Sequence, residues 1–295
     1  EKIIDWANGY QPISYQKNTK LKHLSYPPSN KPISYSVYDE DLMNLNKDSF
    51  ENKTNNQKLI IIKSKKNVGL PSGNNIGLKY AFLRDDFEYI CFLNNDTVVE
   101  PNFLSLIIEK LSMNPSIGIC SSKINYYNRP NYIWSLGGSF CPLTSRVSHY
   151  EMDKQDSGQS VKNNLSFLTG CLWVIKKHIF SNIGWINPAY FMYGEDIEYC
   201  YKVLKNNYSL AVVPESVIYH KVGASSGGDL SPFASYWMMY SRIYFILNNL
   251  SFRYKISSIL FIIFTRSIKF PLWILKGKLS IVKAQIKGLI NGLIN

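Results

Sequence analysis

The chain has 295 residues, 45% of them hydrophobic and 18% charged, and carries a formal net charge of +12. That size and apolar content exclude a disordered polyelectrolyte and allow one large α/β domain with an appendage. The five cysteines are odd in number, widely spaced and without a Cys-x-x-Cys pair, which excludes a disulfide framework or zinc knuckle and fits a reducing, cytosolic setting.

Glu1 to Asn8 reads as the later part of a helix, with Ile3, Ile4, Trp6 and Ala7 on one face and Gly9 as its stop. Residues 10–57 are polar, rich in Asn, Lys, Ser, Tyr and Pro, and read as a long loop or insertion. An alternation of elements follows. Leu59 to Ile62 is an aliphatic strand, Asn67 to Asn75 a Gly-rich turn, and Asn75 to Leu83 a helix through Ile76, Tyr80 and Leu83. Tyr89 to Leu93 is a second strand. A helix enters at Pro101 and runs through Leu104, Ile107, Ile108 and Leu111, and Ile117 to Cys120 is a further strand. This order predicts an α/β, mainly parallel sheet with helices on both faces, working at the carboxyl ends of its strands.

Three segments put chemistry at such ends. Asn94-Asn95-Asp96-Thr97 closes the Tyr89 strand; such residues are ordinary turn chemistry, but the Asp96 carboxylate also suits a hard divalent cation shared with phosphate oxygens. Gly194-Glu195-Asp196 opens a helix expected to bury Ile197, Cys200, Tyr201 and Leu204. Acids are favoured there by the helix dipole, and the apolar approach from Ala189 to Tyr193 makes the pair a candidate general base by raising its proton affinity. His220 ends Ser216-Val217-Ile218-Tyr219, ahead of the Gly-rich run from Gly223 to Gly228.

The charge is concentrated at the end. No acid follows Asp229, and nine Arg and Lys residues from Arg242 onward are interleaved with aliphatic and aromatic ones. Such a tail matches an anionic membrane surface rather than nucleic acid. Ile256 to Leu275 has the length of a span, about 20 residues, but Arg266 and Lys269 sit in it and Pro271 interrupts it, so it is expected to lie in the interface. Val282, Ile286, Leu289, Ile290 and Leu293 then recur at helical spacing, the mark of an amphipathic helix or of one packed on the core.

The ordered set Asn67-Val68-Gly69, Gly73-Asn74-Asn75-Ile76-Gly77, Leu93-Asn94-Asn95-Asp96-Thr97, Gly170-Cys171, Phe191 to Cys200 and His220 to Gly228 resembles the rhamnosyltransferase-like branch of the family 2, GT-A fold glycosyltransferases. The similarity runs from about Leu59 to Arg242 and includes the basic tail. By that resemblance Asp96 is the last acid of an Asp-x-Asp metal motif whose first place is held by Asn94, and His220 joins it at an Mg²⁺ or Mn²⁺ ion. Asp196 is the catalytic base, with Glu195 beside it. Asn67, Gly69, Gly73, Asn74, Asn75, Asn95 and Arg242 fall at donor-binding positions. Asn187 stands where the family commonly has Asp. The family's first nucleotide-binding strand is expected ahead of Glu1.

The resemblance implies a GT-A domain over residues 1–232 and a basic, membrane-associating helical region over 233–295. It also implies inverting transfer of one sugar from a nucleotide-sugar donor to a glycan or lipid-linked acceptor of the cell envelope, at the inner face of the cell membrane. A reading of another class is a non-catalytic membrane-peripheral protein that keeps a transferase scaffold; Asn94 favours it, whereas Asp96, Asp196 and His220 speak against it.

Overall fold

The computed structural model describes residues 1–11, 20–24, 29–41, 59–222 and 231–294, and every structural statement below concerns those residues. The Gly-rich run after His220 lies outside them.

The first helix, α1 (Lys2–Asn8), ends at Gly9, whose φ of 85° is the left-handed stop expected there. The stretch read as an unbroken loop contains β1 (Tyr35–Asp39), which pairs in parallel with β2 (Leu59–Lys63). Five residues with two tyrosines and a single Val give little periodicity, so it is pairing with the aliphatic β2 that makes this strand.

Helix α2 (Leu70–Arg84) begins five residues earlier than its spacing indicated. The cause is local: the Asn67 side chain accepts from the Gly69 N–H at 3.1 Å, Gly69 takes φ 84°, and Pro71 occupies the first turn. Gly73, Asn74 and Asn75 are therefore helical residues and not turn residues.

The main sheet has the order β3 (Tyr89–Leu93), β9 (Leu172–Lys176), β5 (Ile117–Tyr126), β10 (Ser209–His220), β4 (Thr97–Val99), with β6 (Ile133–Ser135) also on β5. Helix α3 (Phe103–Met113) packs against β5 and β10 through Ile107 and Leu111. The α/β class holds, but strand direction is mixed: β5 and β10 are parallel, whereas β9 runs against both its neighbours and β4 runs against β10. The reason is connectivity. β4 follows β3 after a three-residue turn, and β9 follows the excursion made by β6 and the hairpin of β7 (Gly138–Cys141) and β8 (Arg146–His149). The link from β5 to its neighbour β9 is therefore not the helical crossover that parallel neighbours need.

One apolar layer gathers Trp173, Ile175, Phe180 of α4 (Lys177–Ile183) and Tyr199 of α5 (Glu195–Lys205). Helix α5 buries Glu195, Glu198, Tyr199, Cys200 and Val203; the expected Ile197 and Tyr201 instead face a second layer. That layer is supplied by α6 (Pro232–Asn249), whose Ser231 caps the Ala234 N–H at 3.1 Å. Phe245 meets Phe140 and Tyr201 edge-on, and Tyr190 meets Tyr244 in the same way. The compositional boundary at residue 233 thus falls at the start of a helix that is part of the domain's core.

Helix α7 (Phe252–Leu275) continues through Pro271, which costs it one N–H without ending it. It docks by Ser258, whose hydroxyl donates to the Pro142 carbonyl at 2.8 Å, and by buried Ile262. Helix α8 (Leu279–Ile294) lies along α6. Gly288 and Gly292 face it so closely that a Cβ at Gly288 would sit 2.4 Å from the Tyr236 carbonyl oxygen. Small residues make this closest contact, while Val282 of the expected aliphatic stripe is buried and Leu289 packs on the α6 layer. Ile286, Ile290 and Leu293 stay exposed, as do Leu260, Ile263, Phe264, Ile268 and Leu272 of α7.

Candidate active site

The carboxyl ends of β3 and β10 converge. His220, last in β10, pairs in register with Thr97, and the Lys221 N–H donates to the Asp96 carbonyl at 2.9 Å. This brings Asp96 Oδ1 within 3.1 Å of His220 Nε2, with both side chains largely buried. Asp96 Oδ1 and the other ring nitrogen, His220 Nδ1, have no hydrogen-bond partner among the described residues. Two ligands at right angles on a cation with bonds of about 2.1 Å lie about 3.0 Å apart, so the pair has the spacing of neighbouring ligands on a hard divalent ion. Burial lowers the His220 pKa, with Asp96 opposing, which favours the neutral imidazole that a metal requires. Among the described residues no third His, Cys, Asp or Glu completes a metal cluster. Mg²⁺ or Mn²⁺ held here would take its remaining ligands from phosphate and water.

Trp134 of β6 packs edge-on against His220 at 4.5 Å between ring centroids, and also meets His149 of β8 at 5.3 Å. These aromatic walls fix the imidazole from positions more than 70 residues away in the chain. No local pattern at Trp134 announced this.

The acidic pair opens α5 after Gly194, whose φ is 86°. Asp196 accepts from the Ile197 N–H at 2.9 Å and from the Gly170 N–H at 3.5 Å. The next residue, Cys171, accepts from the Asn94 N–H at 3.0 Å. Two adjacent residues on the approach to β9 therefore tie the α5 start to the Asp96 turn. Burial raises the Asp196 pKa, and the backbone N–H donors hold it down only in part. Glu195 is raised by burial first and by the Asp196 charge second, and its Oε2 has no hydrogen-bond partner. Repulsion between the two means that one proton stays with the pair more readily than with an isolated carboxylate. Asp196 keeps a partly exposed face whereas Glu195 is buried, so Asp196 is the one able to meet a substrate.

The Asn67–Asn75 segment is tied to the same place. The Leu70 N–H donates to the Phe191 carbonyl at 2.9 Å, and a Cβ on Gly69 would lie 2.3 Å from that oxygen. Asn75 donates to the Ile186 carbonyl at 2.6 Å and leaves its own oxygen buried without a hydrogen bond. A cavity of about 370 Å³ lies between this helix start and the end of β1, lined by Glu40, Asp41, Ser72, Asn75, Lys79 and Trp185. Its acidic side went unread in the sequence because β1 did. Gly73 has open space around it, and Asn95 is exposed on the Asp96 turn. A cavity of about 570 Å³ lined by Glu88, Lys176 and His178 lies at the other end of β3.

Arg242 is placed differently from the other donor candidates. Its Nε donates to Ser145 Oγ at 2.8 Å and its Nη2 to the Thr144 carbonyl, at the β7–β8 turn. Its neighbour Ser241 is the residue of α6 that reaches the α5 start, donating to the Met192 carbonyl at 3.2 Å. Asn187 donates to buried Glu198 at 2.9 Å. An aspartate at 187 would set two carboxylates against each other, so the amide is the residue this packing requires.

Asp96 with His220, the Glu195–Asp196 pair and a cavity at a helix start are thus the chemistry-bearing groups that this α/β domain brings together. Residues 46–184 match the family model described as glycosyl transferase family 2, and the fold is of the GT-A class.

Among curated relatives, protein y4gI of Sinorhizobium fredii is 26% identical over 155 residues, covering 49% of this chain and 16% of y4gI. The low-salt glycan biosynthesis hexosyltransferase Agl10 of Haloferax volcanii is 23% identical over 147 residues, covering 49% of this chain and 46% of Agl10. The chain thus spans less than half the length of these relatives. Among solved structures, GalNAc-T7 with UDP, GalNAc and Mn²⁺ aligns at a TM-score of 0.48 and 16% identity, over 75% of this chain and 44% of that one. The mannosyltransferase PcManGT of Pyrobaculum calidifontis with GDP-Man and Mn²⁺ aligns at 0.41 and 10%, over 99% and 93%.

Proposed function

We propose that the chain is an inverting glycosyltransferase that moves one sugar, rhamnose being the first to test, from a nucleotide-sugar donor to a hydroxyl of a glycan or lipid-linked acceptor. The observation that carries this is the tie between Asp196 and the Asp96–His220 pair through Gly170 and Cys171. The acceptor oxygen forms its bond to the anomeric carbon as the bond from that carbon to the diphosphate breaks, and the acceptor proton passes to Asp196. Inversion follows from the single displacement, and no second catalytic carboxylate is needed. Asp96 and His220 would hold a divalent ion, which when bound would supply charge stabilisation to the departing diphosphate. Glu195 stays protonated beside Asp196 and limits the negative charge of the pair. Gly69, Asn67 and Asn75 hold the α2 start against the Phe191 loop, and Gly73, Asn74 and Asn95 line the approach for the donor.

The exposed apolar sides of α7 and α8, with their Arg and Lys residues, support attachment to an anionic membrane surface from the cytoplasmic side. By length and composition α7 is also long and apolar enough to cross a membrane. Its docked face at Ser258 and Ile262 and its charges Arg266 and Lys269 favour lying in the interface. The test is a screen of sugar nucleotides with Mn²⁺ or Mg²⁺ and lipid-linked acceptors, reading release of nucleoside diphosphate. Acceptor-dependent release from one donor class is expected. Absence of release from every donor, with the protein folded, would favour the non-catalytic reading.

A further inference from the structure

The C-terminal helices enclose a second polar site. A cavity of about 250 Å³ is lined by Ser145 and Arg146 from the β7–β8 hairpin, Arg242 from α6, Arg266 from α7 and Gln285 from α8. Three guanidinium groups from three separate elements meet there, and among the described residues none has a carboxylate partner. Arg242 is held by Ser145 and the Thr144 carbonyl, neutral acceptors that leave its charge unbalanced. The Nε of Arg266 and the buried amide oxygen of Gln285 have no hydrogen-bond partner. Burial, then the charges of Arg266 and Arg146, disfavours the Arg242 cation. Arg242 and Arg266 are partly buried and Arg146 is exposed beside them; converging cations without carboxylate partners are stabilised by an anion between them, and the fork of an arginine matches phosphate oxygens.

The position relates this cavity to the acidic site. Strand β8 runs from Arg146 to His149, about 10 Å, and His149 packs on Trp134, which packs on His220. On α6, Ser241 touches the α5 start while Arg242 turns to the cavity. On the outer side lies the exposed apolar face of α7, with Ile263, Phe264 and Ile268 flanking Arg266 in sequence.

We infer that this cavity binds the phosphate or diphosphate that joins a lipid to its headgroup, one strand length from the site of glycosyl transfer. It gives the proposed lipid-linked acceptor a subsite: lipid along α7, phosphate among Arg146, Arg242 and Arg266, and the sugar hydroxyl toward Asp196. This assignment rests on the transferase reading, yet anion binding can be measured without turnover.

Inorganic pyrophosphate is titrated calorimetrically into the full chain with EDTA present, so that Asp96 and His220 cannot recruit it through metal. Binding is expected, weakened about tenfold by R266Q and by R146Q, the loss of one charge-assisted contact, and restored only in part by R266K, which returns the charge without the fork. In transfer assays each Gln variant should raise KM for a diphosphate-lipid-linked acceptor about tenfold and leave KM for the same glycan without lipid or phosphate unchanged. Vesicles of phosphatidylcholine with and without phosphatidylglycerol separate the sources. Weakening of phosphatidylglycerol binding by R266Q, with no change in KM for the linked acceptor, would assign the cavity to bilayer headgroups and overturn the acceptor subsite. Pyrophosphate affinity equal in wild type, R266Q and R146Q would overturn the anion site altogether. Failure of the transferase reading would instead show as absent turnover with pyrophosphate binding intact.

Discussion

The acidic site at the start of α5 and the basic cavity among α6, α7 and α8 solve the same problem, crowding of like charges, in opposite ways. Asp196 is held by two backbone N–H groups and shares proton affinity with Glu195, so its charge is limited from within. Arg146, Arg242 and Arg266 cannot lose their protons in this way, and the acceptors that hold Arg242 are neutral. The first arrangement limits its own charge by retaining a proton. The second calls for an anion from outside. Helix α6 serves both, through Ser241 on one side and Arg242 on the other, so a change in one region can be tested for its silence in the other.

The largest break in this comparison is expected at the acid side. Replacing Asp96 with Asn or His220 with Ala should weaken metal-dependent donor binding by at least about tenfold, since even groups behind metal ligands cost that much, while pyrophosphate binding measured in EDTA stays unchanged. Isothermal titration with and without Mn²⁺ checks both halves.

A mechanical break comes next. Gly69→Ala places a Cβ against the Phe191 carbonyl at a φ of 84°, with an expected loss of about 1–3 kcal/mol of stability and a rise in donor KM, read by denaturant unfolding and kinetics. On the outer face, Leu260→Glu with Phe264→Glu should reduce binding to phosphatidylglycerol vesicles at least about tenfold, each buried apolar side chain contributing about 1.5–3 kcal/mol. Melting temperature should hardly move, because both side chains are exposed.

The smallest effect is in pH. Burial raises the proton affinity of Glu195 and Asp196 on folding, so this contribution to stability is present at low pH and is lost as pH rises through their raised pKa values. Glu195→Gln should therefore make the fall in melting temperature with rising pH shallower. Turnover runs the other way. A base must be ionised, so the rate should fall on acidification at a pH above the ordinary carboxylate range.

Much of this contrast could be read from the sequence, and the unread parts have a common cause. Asp96, Asp196 and His220 were visible because each closes or opens an element, and local pattern marks such ends. The strand at Tyr35–Asp39 was hidden because its partner lies 24 residues on in register, Tyr35 against Leu59. Helix α2 started early because a side chain, Asn67, closes its turn. Trp134 and Arg146 come to their sites through hairpin geometry, and Arg242 turns to the β7–β8 turn because acceptors stand there. Pro271 and the Gly288–Gly292 pair show the same limit: helix continuity and helix packing are decided by neighbours rather than by propensity.

Asp196 as the proton acceptor is tested most directly by Asp196→Asn, with donor affinity and single-turnover transfer measured on the same preparation. Transfer is predicted to fall by about 10²–10⁴-fold, the usual contribution of a general base, while donor affinity and melting temperature stay close to wild type. Transfer within a few-fold of wild type would contradict the account.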